Sequence, residues 1–254
     1  MPKNCGPIFR AKDFVKYMAN RKKLSKIYIG DILVVTPIGH ICRNLIKFFN
    51  AKPCKEWVYE PEKFYGVHIA KIFDHMVGFM TITAGASQAT VVEEAIAVGI
   101  KQIVFIGLAG GLKVDIGDFV VPYGAICEDG FSQHYIPHGI PIEASENLHE
   151  AMLKACKETE CRVHNGRAWT ISAPYRELKW KAEEYYKKWE CRAVDMETGA
   201  VYALATYYNV ERIALLIISD IIYPYHKFSF HSRELKESVE KIPIILKSFL
   251  SNLK

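Results

Sequence analysis

Ala214-Leu215-Leu216-Ile217-Ile218-Ser219-Asp220 is an unbroken apolar run that ends on a hydroxyl and a carboxylate. A strand with one wet face alternates apolar and polar residues, so a run apolar at every position marks a strand covered on both faces. Other runs extend the pattern. Ile32 to Val35 reads as a strand followed by a Pro-Ile-Gly turn, and Phe79 to Ala84 as a strand ending at Gly85. Ile103 to Ile106 reads as a buried strand that breaks into Gly107-Leu108-Ala109-Gly110-Gly111. Phe119 to Val121 opens a strand pair, and Arg167 to Ser172 forms a strand and turn.

Helical stretches lie between these strands. Ser87 is expected to cap a helix with Ala89, Val92, Ala95 and Ile96 as its apolar stripe and Gly99 as its stop. Ser145 is expected to open a second, bearing Leu148, Met152 and Ala155, and a third starts near Pro174. Ala200, Ala203, Leu204 and Tyr207 form another stripe. The last stretch, with Leu235, Val239, Ile242 and Leu246, reads as a closing helix despite Pro243. Alternation of this kind argues for an α/β protein with several parallel strands. Ligands of such sheets sit beyond the carboxyl ends of the strands.

The 254 residues suit one large domain, residues 1–254, with no linker or repeat to divide it. Half the residues are hydrophobic and the net charge is +5, mild enough to exclude a nucleic-acid-binding composition. Seven scattered cysteines without a CxxC pair indicate neither a disulfide framework nor a zinc site. Arg21-Lys22-Lys23 with Lys26 reads as a solvated helix end, since no aromatics interleave with it. No signal-peptide core opens the sequence, and no apolar run reaches about 18 residues. The expectation is a cytoplasmic protein that meets no membrane.

Four places could carry chemistry. Val194-Asp195-Met196-Glu197-Thr198-Gly199-Ala200 sets two carboxylates around a methionine where a loop enters a helix. A carboxylate such as Glu197 can accept hydrogen bonds from two vicinal sugar hydroxyls, and Met196 offers an adaptable face to a sugar or base. An acidic first-turn residue favoured by the helix dipole is the other reading of Glu197. Asp220 follows an apolar run, and apolar surroundings raise a carboxyl's pKa toward that of a general acid near neutral pH. Gly39-His40-Ile41-Cys42-Arg43 couples a glycine turn to an arginine, a pairing suited to phosphate but equally to a surface. The Gly107–Gly111 glycines permit close approach to backbone, without the GxGxxG spacing of a dinucleotide site.

In order along the chain these residues resemble the purine nucleoside and uridine phosphorylase superfamily, which also contains N-ribohydrolases. The similarity runs from Gly39 to Arg233. Its most specific parts are Gly107-Leu-Ala-Gly-Gly-Leu with Ile116-Gly117-Asp118, Glu128-Asp129-Gly130-Phe131-Ser132-Gln133-His134-Tyr135, Trp169-Thr170 with Ala173-Pro174-Tyr175-Arg176-Glu177, Asp195-Met-Glu-Thr and Ser219-Asp220. The resemblance implies a three-layer α/β/α sandwich around a mixed, largely parallel sheet. It implies phosphate binding by Gly39 and Arg43, ribose binding by Glu197 and Met196, and a base site of Tyr175, Ser219, Ala109 and Gly110. Asp220 matches the acid of the purine-specific branch, and Arg233 the arginine that pairs with it and gates its protonation. Uridine-specific members carry a glutamine and an arginine shortly after the stacking aromatic. Here that stretch is Glu177-Leu178-Lys179-Trp180-Lys181, which points to a purine.

The expected activity is therefore phosphorolysis of a purine nucleoside to free base and ribose 1-phosphate. Inorganic phosphate is the co-substrate, with no other cofactor and no metal, and the assembly is a homodimer or trimer of dimers. Two departures keep alternatives open. Phosphorolytic members carry an arginine and a serine or threonine where this chain has Phe105 and Leu108. Hydrolysis of a purine nucleoside, methylthioadenosine or AMP is one alternative, with His226 and Lys227 as partners for the AMP phosphate. A nucleoside-binding relative without turnover is the other.

Overall fold

Residues 213–221 are buried without exception, as a strand covered on both faces requires. The computed structural model describes residues 6–137 and 139–253. In chain order the elements are α1 (Ala11–Lys22), β1 (Ile32–Thr36), α2 (Gly39–Phe48), β2 (Lys52–Pro53), β3 (Val67–Ile72), β4 (His75–Thr81), α3 (Ala89–Ile96), β5 (Gln102–Leu112), β6 (Phe119–Glu128), β7 (Ile142–Glu143) and α4 (Glu146–Glu158). They continue with β8 (Val163–Ile171), α5 (Lys179–Lys188), β9 (Cys191–Asp195), α6 (Thr198–Tyr207), β10 (Glu211–Tyr223), β11 (Lys227–Phe228) and α7 (Arg233–Asn252).

The strands form one mixed sheet in the order β11-β10-β6-β8-β9-β5-β1-β4-β3-β2, with β7 on β6. The ladders β5–β10, β6–β8, β1–β4, β1–β5 and β8–β9 are parallel, while β3–β4 and the two-residue pairings are antiparallel. Because β10 also pairs with β5, strands β5, β10, β6, β8 and β9 close into a ring, and the other strands extend from it as an open sheet.

Side-chain alternation sends the apolar residues of each buried strand into two cores. Leu33, Val35, Ile103 and Phe105 pack with residues of α1, α3 and α6, while Val34, Val104 and Ile106 pack with α2, α4 and α7. That is the three-layer arrangement implied by the resemblance. A third, smaller core lies under α5, where Trp169 stacks on Tyr185 at 4.5 Å. Removing one fully buried side chain, as in Leu216→Ala, would cost about 2–5 kcal/mol through lost transfer energy and the cavity left behind. Among the described residues no helix is long and apolar enough to cross a membrane.

Several local expectations are corrected. The Gly107–Gly111 stretch is not a turn, because β5 runs through it to Leu112. Its glycines serve the ring closure: a Cβ on Gly110 would stand 2.4 Å from the Ile222 side chain and 3.0 Å from that of Val194. Ser87 lies within a single 3-10 turn and does not cap α3. Ser145 does precede α4, but its hydroxyl accepts from the Arg212 N–H at 3.0 Å instead of capping the helix. Pro174 opens only a short 3-10 turn, and α5 begins at Lys179. The second strand is shifted toward the N-terminus, spanning His75–Thr81 and not reaching Ala84.

Candidate functional site

The carboxyl ends of β5, β9 and β10 open onto a cavity of about 840 Å³. β10 supplies Asp220. The strand does not end there but continues to Tyr223, with a register shift against β5 between Ile218 and Asp220. A bulge of this kind re-aims side chains, and both Ser219 and Asp220 line the cavity. The Ser219 hydroxyl donates to Asp220 Oδ1 at 2.8 Å and also lies 3.3 Å from the Ala109 carbonyl. Burial pushes the Asp220 carboxyl above its ordinary value, opposed by the Ser219 hydrogen bond and by His226.

Glu197 reaches the cavity from the junction of β9 and α6, with only 5% of its surface exposed. Hydrogen bonds to both of its carboxylates hold that junction. Asp195 accepts from the Thr170 hydroxyl at 2.6 Å, from the Thr198 N–H at 2.9 Å and from the Thr198 hydroxyl. Its lone pairs are largely engaged within the protein, so Asp195 pins the segment rather than reaching for a ligand. Glu197 Oε1 accepts the backbone N–H of Gly85. Gly85 has φ +111°, a conformation costly for any residue with a Cβ, which accounts for a glycine at this turn. Burial, and then the charge of Asp195, push the Glu197 carboxyl up to about 7, with the Gly85 N–H opposing.

The structure brings together most of the residues singled out in the sequence. Asp220, Ser219, Glu197, Met196, Ala109, Gly110 and Tyr175 all line the cavity. Tyr175 stands at the rim, 98% exposed. Gly39 and Arg43 are not among the lining residues: the cavity wall stops at Pro37 and Ile38, just before α2, and Arg43 is exposed on the first turn of that helix. The Arg43 guanidinium folds back over this turn, 3.3 Å from where a Cβ on Gly39 would be. Leu108 lines the cavity, whereas Phe105 is buried in the core beneath it.

Arg233 departs from its expected place. It opens α7, is largely exposed, and its Nε donates to Glu237 at 2.6 Å instead of pairing with Asp220. His226 lines the cavity, while Lys227 lies on β11 and is exposed.

Other lining residues were not singled out. Glu177 is half-buried in the wall, its carboxyl pushed up to about 7 by burial, then by the charges of Asp220 and Asp195. In the sequence Glu177 belongs to the Ala173–Glu177 stretch that carries the resemblance, and its position two residues after Tyr175 is the signal that places it near the base site. Phe228 and Phe230 add an aromatic wall, their rings 5.8 Å apart, with His226 edge-on to Phe228 at 4.1 Å. Their alternation in an otherwise polar stretch was the available signal.

Comparison with known proteins places this geometry among relatives. The model of the phosphorylase superfamily matches residues 31–251. A DeoD-type purine nucleoside phosphorylase of Streptococcus pneumoniae is 30% identical over 125 residues, which cover 48% of this chain and 52% of that protein. The chain thus spans about half the length of the curated relatives it matches. Purine nucleoside phosphorylase of Toxoplasma gondii superposes with a TM-score of 0.76 at 18% identity, covering 88% of this chain and 91% of that one. The 5′-methylthioadenosine/S-adenosyl homocysteine nucleosidase of Campylobacter jejuni superposes with a TM-score of 0.71 at 17% identity, covering 88% and 100%. At these identities the structural likeness speaks for the fold.

Proposed function

This chain belongs to the phosphorylase superfamily, and from that premise we propose that its cavity cleaves the N-glycosidic bond of a purine nucleoside with inorganic phosphate. The observation that carries the reading is the placement of two buried acids, Asp220 and Glu197, on different strand ends of one cavity. Glu197 keeps lone pairs free for the 2′ and 3′ hydroxyls of a ribose, and Met196 lies against the sugar. Tyr175 covers the base from the rim. Asp220 gives its proton to the departing purine, whose ring takes the electron pair of the C1′–N bond. Proton donation of this kind supplies roughly 10²–10⁴-fold of rate.

The first turn of α2 supports phosphate as the nucleophile. Gly39 stands at a helix N-terminus, where backbone N–H groups and the helix dipole favour an anion, and Arg43 folds over the same turn. An oxygen of phosphate then bonds C1′ to give ribose 1-phosphate. Leu108 on the cavity wall favours a second reading, hydrolysis by the same acid and clamp, because an apolar side chain leaves that wall without an anion ligand.

Purine release from inosine, adenosine and methylthioadenosine, with and without phosphate, separates the two. Release that requires phosphate and yields the sugar 1-phosphate is expected: ribose 1-phosphate from inosine and adenosine, its 5-methylthio analogue from methylthioadenosine. Equal release without phosphate, with the free sugar as product, would establish the hydrolytic reading. Asp220→Asn is expected to abolish cleavage while nucleoside binding survives, and full turnover by this variant refutes the acid role.

A further inference from the structure

Phe228 stands directly across from Asp220. Strand β11 runs antiparallel to β10, with Phe228 opposite Asp220 and Lys227 opposite Ile221. Residues paired in this way point to one face of the sheet, their Cβ atoms about 4.5–5.5 Å apart. Phe228 and Asp220 both line the cavity, while Ile221 and Lys227 do not. The period of two continues along the segment: His226, Phe228 and Phe230 line the cavity and Ser229 does not. Their rings form one wall, with Phe228 and Phe230 5.8 Å apart and His226 edge-on to Phe228 at 4.1 Å.

The proposed reaction leaves this wall without a task. Phe228 is 69% exposed and Phe230 49%. Aromatic rings left in water at the side of a cavity mark a place where an apolar part of a ligand would cover them. An anionic group is disfavoured there, because Asp220 is the wall's neighbour and Lys227 is turned to the other face. The cavity also has the room. At about 840 Å³ it lies in the upper part of the range for small-molecule sites, about 300–1,000 Å³, and accommodates more than a nucleoside.

The chemistry of the acid identifies the part of the substrate that meets the wall. When the C1′–N9 bond breaks, its electron pair enters the five-membered ring of the purine. N7 is the other nitrogen of that ring and takes the proton of Asp220. N7 and the exocyclic group on C6 share one edge of a purine. A side chain beside Asp220 therefore lies beside the 6-substituent. We propose that the Phe228–Phe230 wall is a subsite for an apolar group on the 6-amino nitrogen of the base, so that N6-alkylated or N6-arylated adenine nucleosides are the favoured substrates. This rests on the reading of Asp220 as the acid. Phe228 is the specificity-determining residue, and Phe230 extends the same wall.

The test compares kcat/KM for N6-benzyladenosine, adenosine and methylthioadenosine, with and without phosphate, in wild type, Phe228→Ala and Ser229→Ala. Wild type should favour N6-benzyladenosine over adenosine by at least about tenfold, the effect of taking a phenyl-sized group out of water. Phe228→Ala should lower that ratio at least about fivefold, whereas Ser229→Ala, off the wall, should keep it. Both substrates are measured on one preparation, so a general loss of folded enzyme cancels in the ratio. No preference for N6-benzyladenosine in wild type, or an unchanged ratio in Phe228→Ala, overturns the subsite while leaving Asp220 as the acid. A preference for methylthioadenosine that falls in Phe228→Ala would place the wall at the 5′ end of the sugar and overturn the proposal as well. A wild type that releases base from none of the three, with or without phosphate, overturns the reaction itself and the subsite with it.

Discussion

Glu197 accepts a hydrogen bond from the backbone N–H of Gly85, a residue 112 positions earlier in the chain. The contact joins the turn after β4 to the start of α6 and holds one oxygen of a nearly buried carboxylate. Sheet order β9-β5-β1-β4 brings these two segments to the same end of the sheet, and Gly85 makes the turn with a positive φ.

Gly85→Ala tests that aim. A Cβ there meets nothing within 4 Å, so the penalty is conformational rather than steric crowding. We expect a loss of about 1–3 kcal/mol in unfolding free energy, measured by urea denaturation, together with a raised KM for nucleoside. A variant as stable as wild type with an unchanged KM would show that the turn does not govern Glu197.

Glu197→Gln bears on pH. The folded-state carboxyl is raised from 4.5 to about 7 by burial and by Asp195, so the folded protein holds a proton there that the unfolded chain has released. The protein is therefore most favoured by this group below about pH 4.5, and that favour is lost as pH rises to about 7. Glu197→Gln should raise Tm relative to wild type at pH 8, by something on the order of 1–3 kcal/mol in stability, and the advantage should vanish toward pH 4.5. Melting curves across that range check the sign. The same variant should lose about a hundredfold in kcat/KM if Glu197 grips the ribose, since a buried charge-assisted hydrogen bond is removed.

Asp195→Asn separates scaffold from clamp. It breaks the acceptor set that holds Thr170 and Thr198, so unfolding free energy should fall by about 1–3 kcal/mol. Loss of activity should follow from misplacement of Glu197 and appear mainly in KM. An unchanged denaturation midpoint would refute the pinning role.

Arg43→Ala addresses the nucleophile. If Arg43 and the start of α2 hold phosphate, KM for phosphate should rise at least about tenfold while KM for nucleoside stays within about threefold. Initial-rate kinetics with each substrate varied in turn decide it. Equal KM values for phosphate in variant and wild type would remove Arg43 from the site.

Apolar periodicity in the sequence sufficed for the strand–helix alternation, because burial on both faces leaves an unbroken run such as residues 213–221. Asp220 stood out because it follows an unbroken apolar run, and Glu197 because it stands with Asp195 around a methionine where a loop enters a helix. Sequence alone could not tell a glycine turn from a strand at Gly107–Gly111, because close approach of Val194 and Ile222 is a property of the closed ring. Nor could it choose partners among charges. Arg233 has Glu237 one helical turn away and takes it, whereas Asp220 accepts from its neighbour Ser219. Local spacing determines which residues are buried and which helix neighbours meet. Only tertiary closure, which sets distances between segments far apart in the chain, decided which acids line one cavity and which cation stays in water.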